Sequence, residues 1–183
     1  MGTALSSRGT ASLSEILVNG EATWNRLLNT GSQSPLTSGQ IQLAYFVAQV
    51  TEYVTAITTG CEGTAAGTVT ANAIGIYSVN TGTGNLTLLS SVADNTLWTS
   101  TYSVYTQTLS APLLKQAGVT YAIGCLSIAV TEPTLTGVNV AGSSANFSSK
   151  TLADVTGQTG LPSSISGASA LNSYYAPWAA LTH

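Results

Sequence analysis

Charged side chains are scarce in this sequence. Of its 183 residues, only 6% are Asp, Glu, Lys or Arg, against about 25% in ordinary soluble proteins. Soluble monomers normally use surface charge to stay apart, so the deficit favours a protein that works inside an assembly, although secreted β-proteins share this composition. The basic residues are too few to form a nucleic-acid-binding surface: Arg8, Arg26, Lys115 and Lys150.

Cysteine and long hydrophobic runs are also in short supply. The two cysteines, Cys61 and Cys125, cannot make a disulfide scaffold. One bridge between them stays open, although a free thiol in an apolar stretch acts as a small hydrophobe. No apolar run approaches the length that crosses a bilayer, and no signal-peptide core follows Met1. We therefore expect no membrane insertion.

The residues that usually carry catalysis or bind metals are nearly absent. The single histidine is His183, the last residue, so a Ser-His-Asp or Cys-His system would need a chain terminus as its base. A glycosidase needs two converging carboxylates, and zinc or calcium needs clustered ligands. We expect no catalytic residue, no metal and no cofactor, because the carboxylates are scattered: Glu15, Glu21, Glu52, Glu62, Asp94, Glu132 and Asp154.

The longest strongly apolar stretch is Val119–Val130, VTYAIGCLSIAV. Its residues are apolar on both faces of an extended strand, which is typical of a central strand covered on both sides. Gly124 in its middle predicts a close backbone approach or a bulge. This stretch is expected to form the centre of a β-sandwich.

The rest of the chain after Gly39 also has strand patterns. Ala73–Val79 and Leu86–Val92 are separated by five turn-forming residues, which predicts a hairpin. Tyr102–Leu109 predicts a further strand, and Pro112–Gln116 a short connection or one helical turn. About eight strands without a long helix predict an all-β fold, an antiparallel β-sandwich that is jelly-roll-like, over residues 39–183.

Residues 1–38 differ from this domain and are predicted to form an N-terminal arm, extended or with short helices. Trp24, Leu27 and Leu28 have i, i+3, i+4 spacing, which favours a short helix over Glu21–Leu28. These large apolar residues are candidate anchors of the arm. The arm either contacts a neighbouring subunit or packs on its own domain, and the sequence leaves both open.

Aromatic side chains are the remaining candidates for a functional surface. Exposed Trp and Tyr on a β-sandwich stack on sugar rings and are favoured at protein interfaces, whereas buried ones fill the core. Two groups are candidates for glycan or interface contacts: Trp98, Tyr102 and Tyr105 near one loop, and Tyr174, Tyr175 and Trp178 near the C-terminus.

Three segments together resemble a known family. They are Leu43–Gly60, Ile74–Val92 and Tyr105–Leu126, which contain LAYFVAQVTEYVTAITTG, GIYSV followed by GNL, and LSAP followed by GVTYAIG. In this order they resemble the β-sandwich domain of minor tail proteins from tailed phages of actinobacteria, such as mycobacteriophages. The resemblance covers about residues 39–130 and more loosely the remainder.

This resemblance implies a non-enzymatic virion protein at the tail tip or baseplate, assembled in the host cytoplasm. The expected partners are other copies of the chain, as a trimer, other virion proteins and a host-surface glycan. Many family members are larger and join this domain to other modules, so for this chain the resemblance implies a structural role ahead of direct receptor binding. The alternatives are a capsid or tail decoration protein and a carbohydrate-binding module that acts as an adhesin.

Overall fold

The computed structural model of the chain describes residues 20–23, 33–139 and 152–183. Within these ranges all regular secondary structure is β and no helix occurs, which confirms the all-β prediction. The strands are β1 (Gly20–Ala22), β2 (Gln33–Pro35), β3 (Gln40–Val47), β4 (Glu52–Cys61), β5 (Gly67–Val79), β6 (Leu86–Ala93), β7 (Ser103–Lys115), β8 (Thr120–Thr131), β9 (Thr134–Asn139), β10 (Leu152–Val155), β11 (Ser164–Ile165), β12 (Leu171–Asn172), β13 (Tyr175–Pro177) and β14 (Ala179–Thr182).

The strands form two antiparallel sheets of seven strands each. Sheet A has the order β1-β14-β4-β9-β13, and in addition β2 pairs with β9 and β7 pairs with β4. Sheet B has the order β11-β6-β5-β8-β3-β10-β12. The predicted hairpin is confirmed, since β5 and β6 pair from Ala73 with Ala93 to Val79 with Leu86. This arrangement is a β-sandwich, as the sequence predicted.

Strand β8 is the fourth of the seven strands in sheet B, between β5 and β3. Tyr121, Ile123 and Cys125 point to one side of the sheet, and Ala122 and Leu126 point to the other. All five are buried. The prediction of a central strand covered on both faces is therefore confirmed.

The first face of β8 contributes to a core between the two sheets. Fully burying one large aliphatic side chain contributes about 1.5–3 kcal/mol, so this core is the main source of stability. Its buried residues come from both sheets and from the loops between them: Leu36, Phe46, Ala48, Val54, Ile57, Cys61, Ile74, Ile76, Leu97, Trp98, Leu109, Tyr121, Ile123, Cys125, Leu135, Ala179 and Leu181.

The other face of sheet B is covered by the chain after β10. Leu161, Ile165 and Ala170 pack there against residues of β3, β5, β6 and β8. The Tyr77 hydroxyl donates a 3.3 Å hydrogen bond to the carbonyl of Pro162, which fastens this segment to the sheet. This segment, whose short strands β11 and β12 pair with β6 and β10 of sheet B, thus covers part of the apolar outer face of that sheet.

Gly124 in β8 is a point of close approach. A Cβ atom there would lie 3.1 Å from the Tyr77 ring, 3.2 Å from Ile41 and 3.3 Å from Leu43. The pairing of β8 with β3 continues in register through Gly124, so the glycine makes room for side chains rather than forming a bulge.

Two local predictions were wrong. Gly20–Ala22 is strand β1, so the predicted helix over Glu21–Leu28 does not begin at Glu21. Residues Pro112–Lys115 continue strand β7 instead of forming a helical turn. In both cases pairing with a neighbouring strand outweighs the local sequence preference, because β1 pairs with β14 and β7 with β4.

The described parts of the predicted arm belong to sheet A. Strand β1 pairs with β14 at the C-terminus, and β2 pairs with β9. At these residues the chain packs on its own domain. The candidate anchors Trp24, Leu27 and Leu28 lie outside the described residues.

We expect the variant Gly124→Ala to lose about 1–3 kcal/mol of unfolding free energy, because its methyl group overpacks the site against Tyr77 and Ile41. Urea unfolding measures the loss. Gly160→Ala is the matched control, since its Cβ would have no neighbour within 4 Å. An equal effect of the two substitutions would contradict the close-approach interpretation.

Candidate functional site

Trp98, the first of the candidate contact residues, is a core side chain. Its exposed fraction is 0%, and its indole Nε1 donates a 3.0 Å hydrogen bond to Thr59 Oγ1 in β4. It packs with the residues between the two sheets. A sugar ring therefore has no access to Trp98, and the glycan platform predicted from Trp98 with Tyr102 or Tyr105 does not form.

The loop that carries Trp98 is held by hydrogen bonds within the loop and to the residue before β5. Asp94 Oδ1 accepts hydrogen bonds from the backbone N–H of Thr96 at 2.8 Å and from its hydroxyl at 2.7 Å. The Trp98 carbonyl accepts the N–H of Ala66 at 2.7 Å. The hydrogen bonds to Asp94, above all the one from the Thr96 backbone N–H, lower the pKa of Asp94 below its usual value.

Two residues of this loop have left-handed backbone angles, with φ of +59° at Trp98 and +52° at Tyr102. Such angles cost about 1–2 kcal/mol for a residue other than glycine. They persist where the surrounding structure fixes them and are common at functional sites. At Trp98 the buried hydrogen bond to Thr59 supplies the fixing contact.

Tyr102 is the candidate residue that projects into solvent, with 79% of its surface exposed. Its backbone N–H donates a 3.1 Å hydrogen bond to the carbonyl of Glu62. Val104, two residues further along β7, is 64% exposed. We call these two residues the Tyr102 patch. Neighbouring Tyr105 is half-buried, and its hydroxyl bonds to the backbone of Ser100 at 2.7 and 3.3 Å.

The C-terminal candidates are also divided between surface and core. Tyr174 is exposed, Tyr175 is half-buried and Trp178 is buried. Tyr175 is the first residue of β13, and Trp178 is the single residue between β13 and β14 in sheet A. Of the six aromatic candidates, Tyr102 and Tyr174 therefore present most of their surface to a partner.

The two cysteines are free, buried thiols. Both lie in the core between the sheets, Cys61 on β4 and Cys125 on β8. Burial raises the pKa of Cys61 to about 11, with a further contribution from the charge of Glu62. Burial also raises the pKa of Cys125. These thiols are therefore structural, since the thiolate is the reactive form.

Sequence reasoning missed a cluster of charged groups inside the sandwich. Lys115 has 0% exposure, and its Nζ donates hydrogen bonds to Glu21 Oε2 and, at 3.0 Å, to the carbonyl of Val50. Glu52 Oε1 lies 3.2 Å from the same nitrogen, and His183 Nδ1 lies 3.4 Å from Glu52 Oε2. The alternation of β7 was the available signal, because it points Lys115 to the same side as buried Leu109.

Asp154 is a second partly buried carboxylate, on β10 at the side of sheet B. Its Oδ1 is buried without a hydrogen-bond partner. Burial raises the pKa of Asp154, and a hydrogen bond from Ser173 partly opposes that shift. The charged form of Asp154 is therefore disfavoured in the folded protein.

The described residues contain no group of three or more His, Cys, Asp or Glu side chains placed to hold a metal ion. In the same residues, no helix is long and apolar enough to cross a membrane.

Comparison with known proteins yields no relative: the chain matches neither a protein-family model nor a curated protein. Function must be inferred from the chain's own residues.

The substitution Thr59→Val leaves the buried Trp98 indole without its acceptor. We expect it to lower the unfolding free energy by about 1–3 kcal/mol, measured by urea unfolding with tryptophan fluorescence. Thr108→Val, at an exposed position of β7, is the matched control and should change stability little. If Thr59→Val lowers the unfolding free energy no more than Thr108→Val does, the hydrogen bond does not hold Trp98.

Asp154→Asn should stabilise the protein at neutral pH. The pKa of Asp154 in the folded protein is raised above the ordinary value of 3.8. The contribution of Asp154 to the unfolding free energy is therefore most favourable below pH 3.8, and it is lost as the pH rises through the folded pKa. The variant should therefore be the more stable protein at pH 7, and its advantage should vanish in acid.

The measurement is urea unfolding of both proteins at neutral pH and below pH 3.8. Asp94→Asn is the control with the opposite sign, because hydrogen bonds lower the pKa of Asp94, so that its charged form stabilises the fold at neutral pH. A pH-independent effect of Asp154→Asn would contradict the assignment.

Proposed function

We propose that this chain is a non-enzymatic structural protein of a phage virion, a minor tail protein at the tail tip or baseplate that assembles as a homo-oligomer, with a trimer as the expected form. The proposal rests on the resemblance of its three strand segments to that family and on the nature of its surface. A role in binding the host surface would be secondary to this structural one.

The observation that carries the assembly role is an almost uncharged surface. Lys115 is the sole lysine or arginine within the described ranges, and it is fully buried. Ten large apolar side chains are exposed in the same ranges: Val47, Val50, Tyr53, Leu89, Tyr102, Val104, Leu114, Val130, Leu171 and Tyr174. Such a surface lacks the charges that keep monomers apart, and it suits contacts from which charged groups are depleted.

The Tyr102 patch is the strongest candidate for a subunit contact. Tyrosine is enriched at interfaces because a large, rigid ring contributes contact area and a hydroxyl. The hydrogen bond from the Tyr102 backbone N–H to the Glu62 carbonyl holds the chain before β7 in place, so binding there would cost little ordering of the backbone. The patch also lies at the edge of sheet A, since among the described strands β7 pairs with β4 alone.

We expect light scattering of the full chain at about micromolar concentration to give a mass about three times its 18.6 kDa. The double substitution Tyr102→Lys with Val104→Lys should shift the mass toward that of the monomer, because the charges would be desolvated in the contact. Ser169→Lys, an exposed residue on the segment that covers sheet B, is the control. A monomeric wild type would contradict the homo-oligomer.

The virion role is tested separately, with purified particles of the phage that encodes the chain. Antibodies against the protein should label the tail tip in electron micrographs. Label on the capsid or along the tail would favour the decoration protein instead. Absence of the chain from the particles would overturn the virion assignment.

A carbohydrate-binding role is the second candidate, and the exposure of Tyr102 and Tyr174 is the observation that favours it. Each ring alone offers a stacking surface for a sugar. The burial of Trp98 and Trp178 leaves the two tryptophan candidates outside such a site.

A further inference from the structure

An amine and two carboxyl groups meet at one end of the core between the sheets. Lys115 and Glu52 are cross-strand neighbours on β7 and β4, and Glu21 belongs to β1 near the N-terminus. Lys115 Nζ contacts Glu21 Oε2 and lies 3.2 Å from Glu52 Oε1. Three strands that are distant in sequence thus bring together a nucleophile, a carboxyl group and a second carboxylate.

Solvent is largely excluded from the lysine and its closest partner. The Lys115 side chain is fully buried and the Glu21 side chain is 9% exposed. Glu21 pairs with Leu181, which pairs with Ile57, and both of these apolar residues belong to the core. Exclusion of water from such a site protects a condensation against the reverse hydrolysis.

Further contacts fix the orientation of each group. Glu21 Oε1 accepts the backbone N–H of Gln49 at 2.8 Å, and the Val50 carbonyl accepts from Lys115 Nζ at 3.0 Å. The carboxyl carbon of Glu21 is one bond beyond the oxygen that Nζ contacts. Reaction requires the two reacting atoms to approach to about 3–3.5 Å in a suitable orientation, and these contacts hold Nζ next to the Glu21 carboxyl group.

We propose that Lys115 and Glu21 become joined by an isopeptide bond, with Glu52 as the group that moves the protons. Glu52 takes a proton from the Lys115 ammonium and passes it to the Glu21 carboxylate, which gives a neutral amine and a carboxylic acid. Nζ then attacks Cδ of Glu21, the N–C bond forms, and one C–O bond breaks.

The step balances without any other reactant. One ammonium and one carboxylate become one amide and one water molecule, and nothing is oxidised or reduced. After the attack, Glu52 takes a second proton from the nitrogen and gives it to the departing oxygen, which leaves as water, so Glu52 ends as it began. His183 Nδ1 lies 3.4 Å from the other oxygen of this carboxyl group, Glu52 Oε2.

The bond would fasten strand β1 to strand β7. The present pairing of β1 consists of three residue pairs with β14, and the protein's two cysteines are free. An amide between residues 21 and 115 would close a covalent loop around that part of sheet A and resist unfolding by heat or by force. This inference does not depend on a role in a virion, because the isolated chain tests it.

The full chain, purified and kept folded, is analysed by intact mass spectrometry. We expect a mass lower than that of the sequence by one water molecule, about 18 Da. Trypsin then locates the bond, since the sequence has four cleavable residues and an amide at Lys115 removes one of them. Residues 9–26 should remain attached to residues 27–150. Separate peptides 9–26 and 27–115 at their unmodified masses would overturn the proposal.

Three variants separate the bond from a plain ion pair. Lys115→Arg keeps the charge but should show no mass loss. Glu52→Gln keeps the size of the side chain and should lower the linked fraction at least tenfold, because proton transfer is lost. Glu21→Gln should release ammonia in place of water, a loss of about 17 Da.

A mass loss that persists in Lys115→Arg would place the modification elsewhere and contradict the proposal. If a variant fails to fold, the digest of the wild-type chain still decides.

Discussion

Burial of strand β8 on both faces is the constraint on which the rest of the fold depends. A strand that is apolar on both sides must be covered by two layers. Sheet A covers one side of β8, with Val54 and Ile57 among the contacts. The segment after β10 covers the other side through Leu161 and Ile165. Strands of sheet A and the chain after β10 thus bury the two apolar faces of this one strand.

The ends of the chain depend on sheet A. Strand β14 pairs with β4, and β1 pairs with β14 in turn, so the N-terminal strand is placed by the C-terminal one. The charged cluster of Lys115, Glu21 and Glu52 sits where these elements meet. A buried lysine requires partners, because an unpaired charge in the core is strongly destabilising. The cluster therefore needs β1 in place, because Glu21 on β1 is the closest partner of the buried Lys115.

Scarcity of charge has different consequences inside and outside the domain. Inside, Lys115 is paired with the carboxyl groups of Glu21 and Glu52. Outside, the described surface carries no lysine or arginine and exposes rings such as Tyr102. This contrast is the basis of the proposed assembly role, since charged groups are depleted at the centre of protein interfaces. The same surface offers single tyrosines to a glycan, but not the tryptophan platform that the sequence suggested.

Local patterns in the sequence determined the fold class, the hairpin of β5 and β6 and the central position of β8, because alternation, turn residues and two-sided hydrophobicity act over neighbouring residues. They did not determine which aromatic side chains are exposed: Trp98 and Tyr102 stand four residues apart in one polar loop, yet one is core and the other is surface. Nor did they place Glu21 beside Lys115, since that contact arises only when β1, β4, β7 and β14 pair. The tertiary structure decided both, because burial and contact between residues distant in the chain are properties of the packed sheets.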